Sequence, residues 1–154
     1  MVSESKITFL FLLTQNGSLF VNVEEIMTKS LTLEILAETL AVCRLDANSA
    51  LPDWAITGRF FSVTRTYDEL SVVCEAAQVP EGIQAEKNWR AFRVSGSIDF
   101  DLVGILAAVV NPVAEADLGL FAISTFDPDY LLVKAKNFER AVEVLRAAGH
   151  VIKA

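Results

Sequence analysis

One histidine, two cysteines and only thirteen basic side chains in 154 residues leave this chain few ways to do chemistry. His150 has no neighbouring carboxylate or nucleophile motif, so it reads as structural or exposed rather than catalytic. Cys43 and Cys74 match neither a CxxC nor a zinc-ligand spacing. Both fall in predicted strands, and the expectation is two buried thiols, neighbours across a sheet, in a reducing compartment. GxSxG, HExxH, Walker and GxGxxG sequences are all missing, which argues against an enzyme and gives no reason to expect a metal or cofactor.

The shortage of positive charge excludes a second class. Against thirteen Lys and Arg stand twenty Asp and Glu, a net charge of −7 and a pI near 4.7, so the clustered cations that neutralise phosphates are lacking and no nucleic-acid role is expected. Near the N-terminus Ile7 to Leu13 is an apolar run behind Lys6. It is too short to cross a bilayer and has no small-residue cleavage site, so neither an anchor nor a secretory signal is expected and the location reads as cytoplasmic. Residues 1–30 form an N-terminal extension with two readings. Val23-Glu-Glu-Ile-Met27 is compatible with a purine-rich ribosome site ahead of a start at Met27; the alternative is an extra edge strand or a disordered apolar tail.

What the chain has in quantity is apolar side chain, 53% of residues with a mean hydropathy of +0.41, and a repeat. Residues 61–73 and 121–133 each read strand, acidic turn, strand, sixty positions apart. Phe61/Phe121 and Val73/Val133 are identical at that offset; Val63/Ile123, Thr64/Ser124, Glu69/Asp129 and Val72/Leu132 agree in kind. Around the second copy, Arg90 to Gly96 alternates as a strand. Leu102, Ile105, Leu106, Val109, Val110 and Val113 make a helical stripe with Asp101 as N-cap, and Pro112 should kink that helix or weaken one of its hydrogen bonds. Asn137 opens a second stripe, Phe138, Ala141, Val142, Leu145 and Ala148, stopped by Gly149 ahead of a last strand at His150-Val151-Ile152.

The order is β-α-β-β-α-β, which predicts a four-stranded antiparallel sheet with both helices on one face. In the first copy Leu40 to Leu45 supplies a strand, Asn48 to Trp54 leaves room for one turn, and Gln78 to Gly82 replaces the second helix. The expected fold is therefore α+β: two ferredoxin-like (βαββαβ) units, residues 31–88 with reduced helices and residues 89–154, packed together because each alone is marginal in size. The high apolar share also points to surface buried between subunits, for which a homodimer is the simplest arrangement.

With these pieces in view the chain resembles the tandem ACT-domain proteins, the small stand-alone kind similar to aspartokinase regulatory domains and to cytosolic arginine sensors. The residues that carry the resemblance are Asp101-Leu-Val-Gly-Ile-Leu106, Ile123-Ser-Thr-Phe-Asp-Pro-Asp-Tyr-Leu-Leu-Val133 and, less closely, Ser62 to Val72. It implies binding of a free amino acid at the seam between ACT units, with the signal passed to a regulated protein that the sequence does not name, or to the oligomeric state.

A zwitterion needs donors for its carboxylate and acceptors for its ammonium. The turn Ile98-Asp-Phe-Asp101 leads into a helix start whose free N–H groups are expected from Leu102, Val103 and Gly104. Asp99 or Asp101 can accept from the ammonium. Ser124, Thr125 and Phe126 end the neighbouring strand, and Asp129 lies across the hairpin; the resemblance carries Asp129 as a ligand acid, while turn chemistry alone also accounts for it. Val63 and Thr64 occupy the matching strand end of the first copy and are expected to close the seam, with Arg65 standing where the second copy has Thr125. One site per chain follows from that mismatch. A Gly104→Val change is expected to abolish binding with little cost to the fold. The identity of the amino acid stays open: acidic groups favour a basic side chain, whereas Phe100, Phe126 and Tyr130 suit an aromatic or aliphatic one.

Overall fold

The computed structural model describes residues 30–95 and 104–154. Eight strands form one sheet: β1 (Thr32–Ile35), β2 (Leu40–Leu45), β3 (Phe61–Arg65), β4 (Leu70–Glu75), β5 (Ala85–Ser95), β6 (Leu120–Ser124), β7 (Asp129–Lys134) and β8 (Val151–Lys153). Among the described residues two α-helices accompany them, α1 (Ile105–Glu115) and α2 (Phe138–Ala147). The fold is α+β and contains two ferredoxin-like units, the first with 3-10 turns at Asp53–Ile56 and Ala76–Gln78 in place of helices. Of the N-terminal extension, residues 1–29 lie outside the described residues.

The units share a strand. The first half of β5 pairs with β2 and closes the first unit in the order β5-β2-β4-β3, while residues from Trp89 onward pair with β7 and open the second. The division at 88/89 read from the sequence therefore falls inside a continuous strand. A bulge marks the changeover: Leu40 faces Trp89 and Val42 faces Glu86, so two residues of β5, Lys87 and Asn88, oppose the single Ala41 of β2. Asn88 takes φ 63° to allow it. Lys134 closes over the bulge, donating to Lys87 O at 3.0 Å and to Glu86 at 2.9 Å with its ammonium 4.2 Å from the Trp89 ring centroid.

The second unit departs from the expected four strands in one respect. β8 pairs parallel with β1, not with β5, and β1 lies between the two, antiparallel to β5. Leu31 to Leu36 alternates weakly and is short, which is why the sequence pattern did not announce β1 as a strand of this sheet.

Three apolar clusters fill the faces. Phe92, Val94, Leu131 and Val133 point toward α1 and α2, where they meet Val109, Val113, Ala141 and Leu145; Phe92 stacks on Phe138 at 4.6 Å. In the first unit Ala41, Cys43, Leu70, Val72 and Cys74 point to the same side and are covered by the two 3-10 turns. The opposite face gathers Leu40, Val73, Ala91, Ile123 and Leu132 from both units. Phe60 and Tyr130 meet there with ring centroids 4.8 Å apart, although β4, β2 and β5 lie between β3 and β7. A flat sheet would hold those strands about 19 Å apart, so the sheet is strongly curled around this third cluster. Burial on both faces explains why Val72-Val-Cys74 and Leu131-Leu-Val133 are unbroken apolar runs rather than alternating ones.

The duplication is present at an offset of 59, one fewer than read from the sequence. β3 matches β6, β4 matches β7 and Ala76–Gln78 matches Ala135–Asn137 at that spacing. A one-residue slip exchanges the faces of every strand side chain, so the corrected pairs are Cys74 with Val133, Arg65 with Ser124 and Leu70 with Asp129. Identities at Phe61/Phe121 and Val73/Val133 drew the sequence reading off by one because apolar residues occupy both faces.

The cysteines are buried and free. Cys43 stands opposite Val72 and Cys74 opposite Ala41, one diagonal step apart on one face. The hydrogen bond between the two thiols, together with burial, pushes the Cys74 thiol up, so it stays protonated.

Candidate functional site

Register places the pieces of the second-unit site at one end of the sheet. β5 ends at Ser95, Arg93 faces Tyr130, and Ser124 faces Asp129. The β6–β7 turn therefore sits beside the end of β5, from which the chain proceeds to α1. Asp99, Asp101, Leu102 and Val103 lie outside the described residues. Helix α1 begins at Ile105 with Gly104 in the N-cap position and no side-chain cap hydrogen bond, so the N–H groups of Ile105, Leu106 and Ala107 are among those left without a helical acceptor.

Gly104 adopts φ 88° and ψ 1°. This left-handed conformation favours glycine for backbone reasons before any ligand is considered. Gly104→Val would strain the helix start and so cannot separate binding from folding, contrary to the expectation from sequence.

The turn itself is specific. Thr125 N–H and Thr125 Oγ1 both donate to the Pro128 carbonyl, at 3.2 and 2.7 Å. The hydroxyl proton is committed, so the oxygen presents its lone pairs as acceptors. In the first copy Thr66 N–H and Oγ1 make the corresponding donations to the Glu69 carbonyl, at 2.9 and 3.4 Å, and Thr66 Oγ1 in addition accepts from the N–H groups of Asp68 and Glu69, each at 3.2 Å. Pro128 occupies the place of Glu69 and has no N–H to give. Asp129 opens β7, half-buried; Ser124 and Thr125 are exposed; Phe126 is 78% exposed.

Val63 and Thr64 are not brought to this place. Val63 faces Val72, Val72 faces Cys43 and Cys43 faces Ala85, at the opposite end of β5 from Val94. Nine residues of strand separate the two levels, on the order of 25–30 Å. The two hairpin turns project from opposite ends of the sheet. Arg65 is already engaged, donating to the carbonyls of Ala47 and, at 2.7 Å, Ser49.

Sequence reasoning left His150 without a job. It is buried at 4% exposure, with Nε2 2.9 Å from Ala108 O and Nδ1 3.3 Å from Leu31 N. The available signal was Pro112, which removes the helical donor for Ala108 and so calls for a replacement. Among the described residues no group of three or more His, Cys, Asp or Glu is placed to hold a metal ion, and no helix is long and apolar enough to cross a membrane.

Known proteins resemble this chain in sequence and in fold. An ACT-domain family model matches residues 84–147, and a second model, of an N-terminal domain, matches residues 38–82. The human cytosolic arginine sensor for mTORC1 subunit 1 is 39% identical over 59 residues, 38% of this chain and 18% of that protein, so the match spans less than a fifth of the relative. A crystal structure of an Agobacterium tumefaciens protein is 38% identical, with a TM-score of 0.77 over 80% of this chain and 92% of that one. The regulatory subunit of aspartate kinase from Thermus thermophilus, 9% identical, shares the fold at a TM-score of 0.53 over 75% of this chain and 96% of its own.

Proposed function

The chain belongs to the ACT-domain family, and on that premise we propose that it is a regulatory module, without catalysis of its own, that binds a free amino acid at a seam between ACT units. The observation that carries the reading is the β6–β7 turn. Thr125 Oγ1 is turned into an acceptor by its bond to Pro128, Asp129 stands at the next strand start, and the free N–H groups of α1 follow from the neighbouring strand end. Acceptors for an ammonium in that turn, and donors for a carboxylate at the start of α1, are what support the reading. The curated relative it matches is an arginine sensor, which makes L-arginine the first ligand to try. A soluble cytoplasmic setting fits that reading.

Because Val63 and Thr64 sit at the far end of the same chain, they reach this turn only from a second copy. The seam is then between chains: the first unit of one protomer meets the second unit of its partner, and occupancy favours the dimer as far as affinities for the two states differ. The response passes from there to a regulated protein.

A thermal-shift screen against the twenty amino acids tests this directly. A ligand at about 100 times its dissociation constant adds roughly 2.7 kcal/mol, and the expected result is a shift with one amino acid or a chemically related few. Folded, ligand-free protein that responds to none of them would favour a second reading, an interaction module. That reading draws on β3, an edge strand whose Phe61 and Val63 are 47% and 37% exposed.

A further inference from the structure

Helix α1 contains a defect and the fold contains its repair. Pro112 has no N–H, so the carbonyl of Ala108, one turn earlier, lacks its helical donor. That carbonyl meets His150 Nε2 at 2.9 Å in a buried setting. The other ring nitrogen, Nδ1, takes the Leu31 N–H at 3.3 Å. An amide N–H only donates and a carbonyl only accepts, so one state of the ring serves both contacts: neutral, with the proton on Nε2. Ala108 in turn donates its own N–H to Gly104 O at 2.9 Å.

We propose that His150 is a positioning residue for the start of α1. A polar chain runs from Leu31 through His150 and Ala108 to Gly104, and it holds the left-handed residue that opens the helix in place of the bond Pro112 cannot make. An apolar side chain of similar size would fill the space yet leave a buried carbonyl and a buried amide without partners. The other end of the chain is tied to the inserted strand: Ser30 Oγ donates to Gly149 O at 2.6 Å and Val151 N–H to Leu31 O at 2.8 Å. Seating of β1 and the pose of the α1 start are consequently one event. The effect on ligand affinity rests on the reading of the α1 start as part of the binding site; the positioning itself does not.

Nitrogen-15 NMR of the imidazole in the unaltered full chain should show a protonated Nε2 and a bare Nδ1. A proton on Nδ1 would overturn the proposal, and this measurement needs no variant to fold. Hydrogen exchange at the Ala108 amide should accelerate about tenfold or more in His150→Leu. Pro112→Ala gives the Ala108 carbonyl its own helical donor, so His150→Leu made in the Pro112→Ala background should recover most of the lost protection. Equal acceleration in both backgrounds would mean that Ala108 is not the link. Titration with L-arginine then separates the two ideas: weakened binding in His150→Leu, restored in the double variant, supports both, whereas an unaltered chain that ignores L-arginine leaves the NMR and exchange results to decide the positioning alone.

Discussion

The two hairpins follow one plan and spend it differently. In the first, the Thr66 hydroxyl oxygen is used up by two backbone N–H groups, Arg65 pins the Ala47–Ser49 loop, and the position after the turn is the buried Leu70. In the second, Pro128 withdraws one of those N–H groups, Ser124 replaces Arg65, and Asp129 replaces Leu70. The covering of the sheet differs in the same sense: 3-10 turns over the first unit, two full helices over the second. A duplicated unit need keep only one copy of its polar apparatus open once the other is committed to holding loops and strands together. The comparison teaches that the first copy is the structural partner and the second the candidate binding copy.

The largest test of that division concerns the shared strand. Phe92→Ala removes a fully buried ring from the helix-covered core and should cost about 3–5 kcal/mol; because β5 belongs to both units, urea denaturation followed by tryptophan fluorescence and by circular dichroism should show a single shifted transition. Two separated transitions would break the idea that the units stand or fall together. Next in size, Asp129→Leu gives the second hairpin the residue of the first and should weaken the amino acid found by thermal shift by roughly ten- to a hundredfold, the range for a hydrogen bond to a charged group, without loss of fold. Pro128→Glu returns the missing N–H to Thr125 and should cost about tenfold in calorimetric affinity. The converse change, Arg65→Ser, should lower stability by about 1 kcal/mol and leave affinity untouched, because Arg65 is engaged within its own chain; a loss of binding would mean that Arg65 itself takes part.

The smallest effect is electrostatic. The Ser95 hydroxyl and the Arg93 guanidinium, 3.0 Å away, hold the Glu34 carboxyl below its usual value of 4.5. A lowered carboxyl contributes stability above its unfolded pKa and loses it as pH falls through the folded one. Acid titration of the melting temperature should therefore decline below about pH 4.5, slightly more steeply than in Glu34→Gln.

Much of this was legible beforehand. The helical stripes at Val109–Val113 and Phe138–Leu145, the strand-turn-strand repeats and the loss of helices from the first copy follow from apolar periodicity and turn residues, which report local structure directly. Register was less legible: both faces of β4 and β7 are buried, so alternation could not distinguish an offset of 59 from 60. The start of α1 was misplaced because Leu102 and Val103 continue an apolar stripe, whereas the left-handed Gly104 that precedes the helix leaves no mark on periodicity. The separation of Thr125 and Asp129 from Val63 and Thr64 depends on strand order and direction, which no local pattern encodes. His150 was missed for a similar reason, since its partners lie 42 and 119 positions away.

Strand β1 carries a consequence for synthesis. Thr32–Ile35 emerges from the ribosome before every other described strand, yet its two neighbours are the second half of β5 and then β8, the last described strand. The first unit, β2 to β5, can collapse while translation continues; β1 must wait through some 119 residues for the partner that seals it. Pairing over such separations is slow, and until it occurs an apolar strand remains without its ladder. The sealing of β1 should therefore be among the last steps of folding, and a chain truncated before Val151 should leave β1 loose on the side that β8 covers.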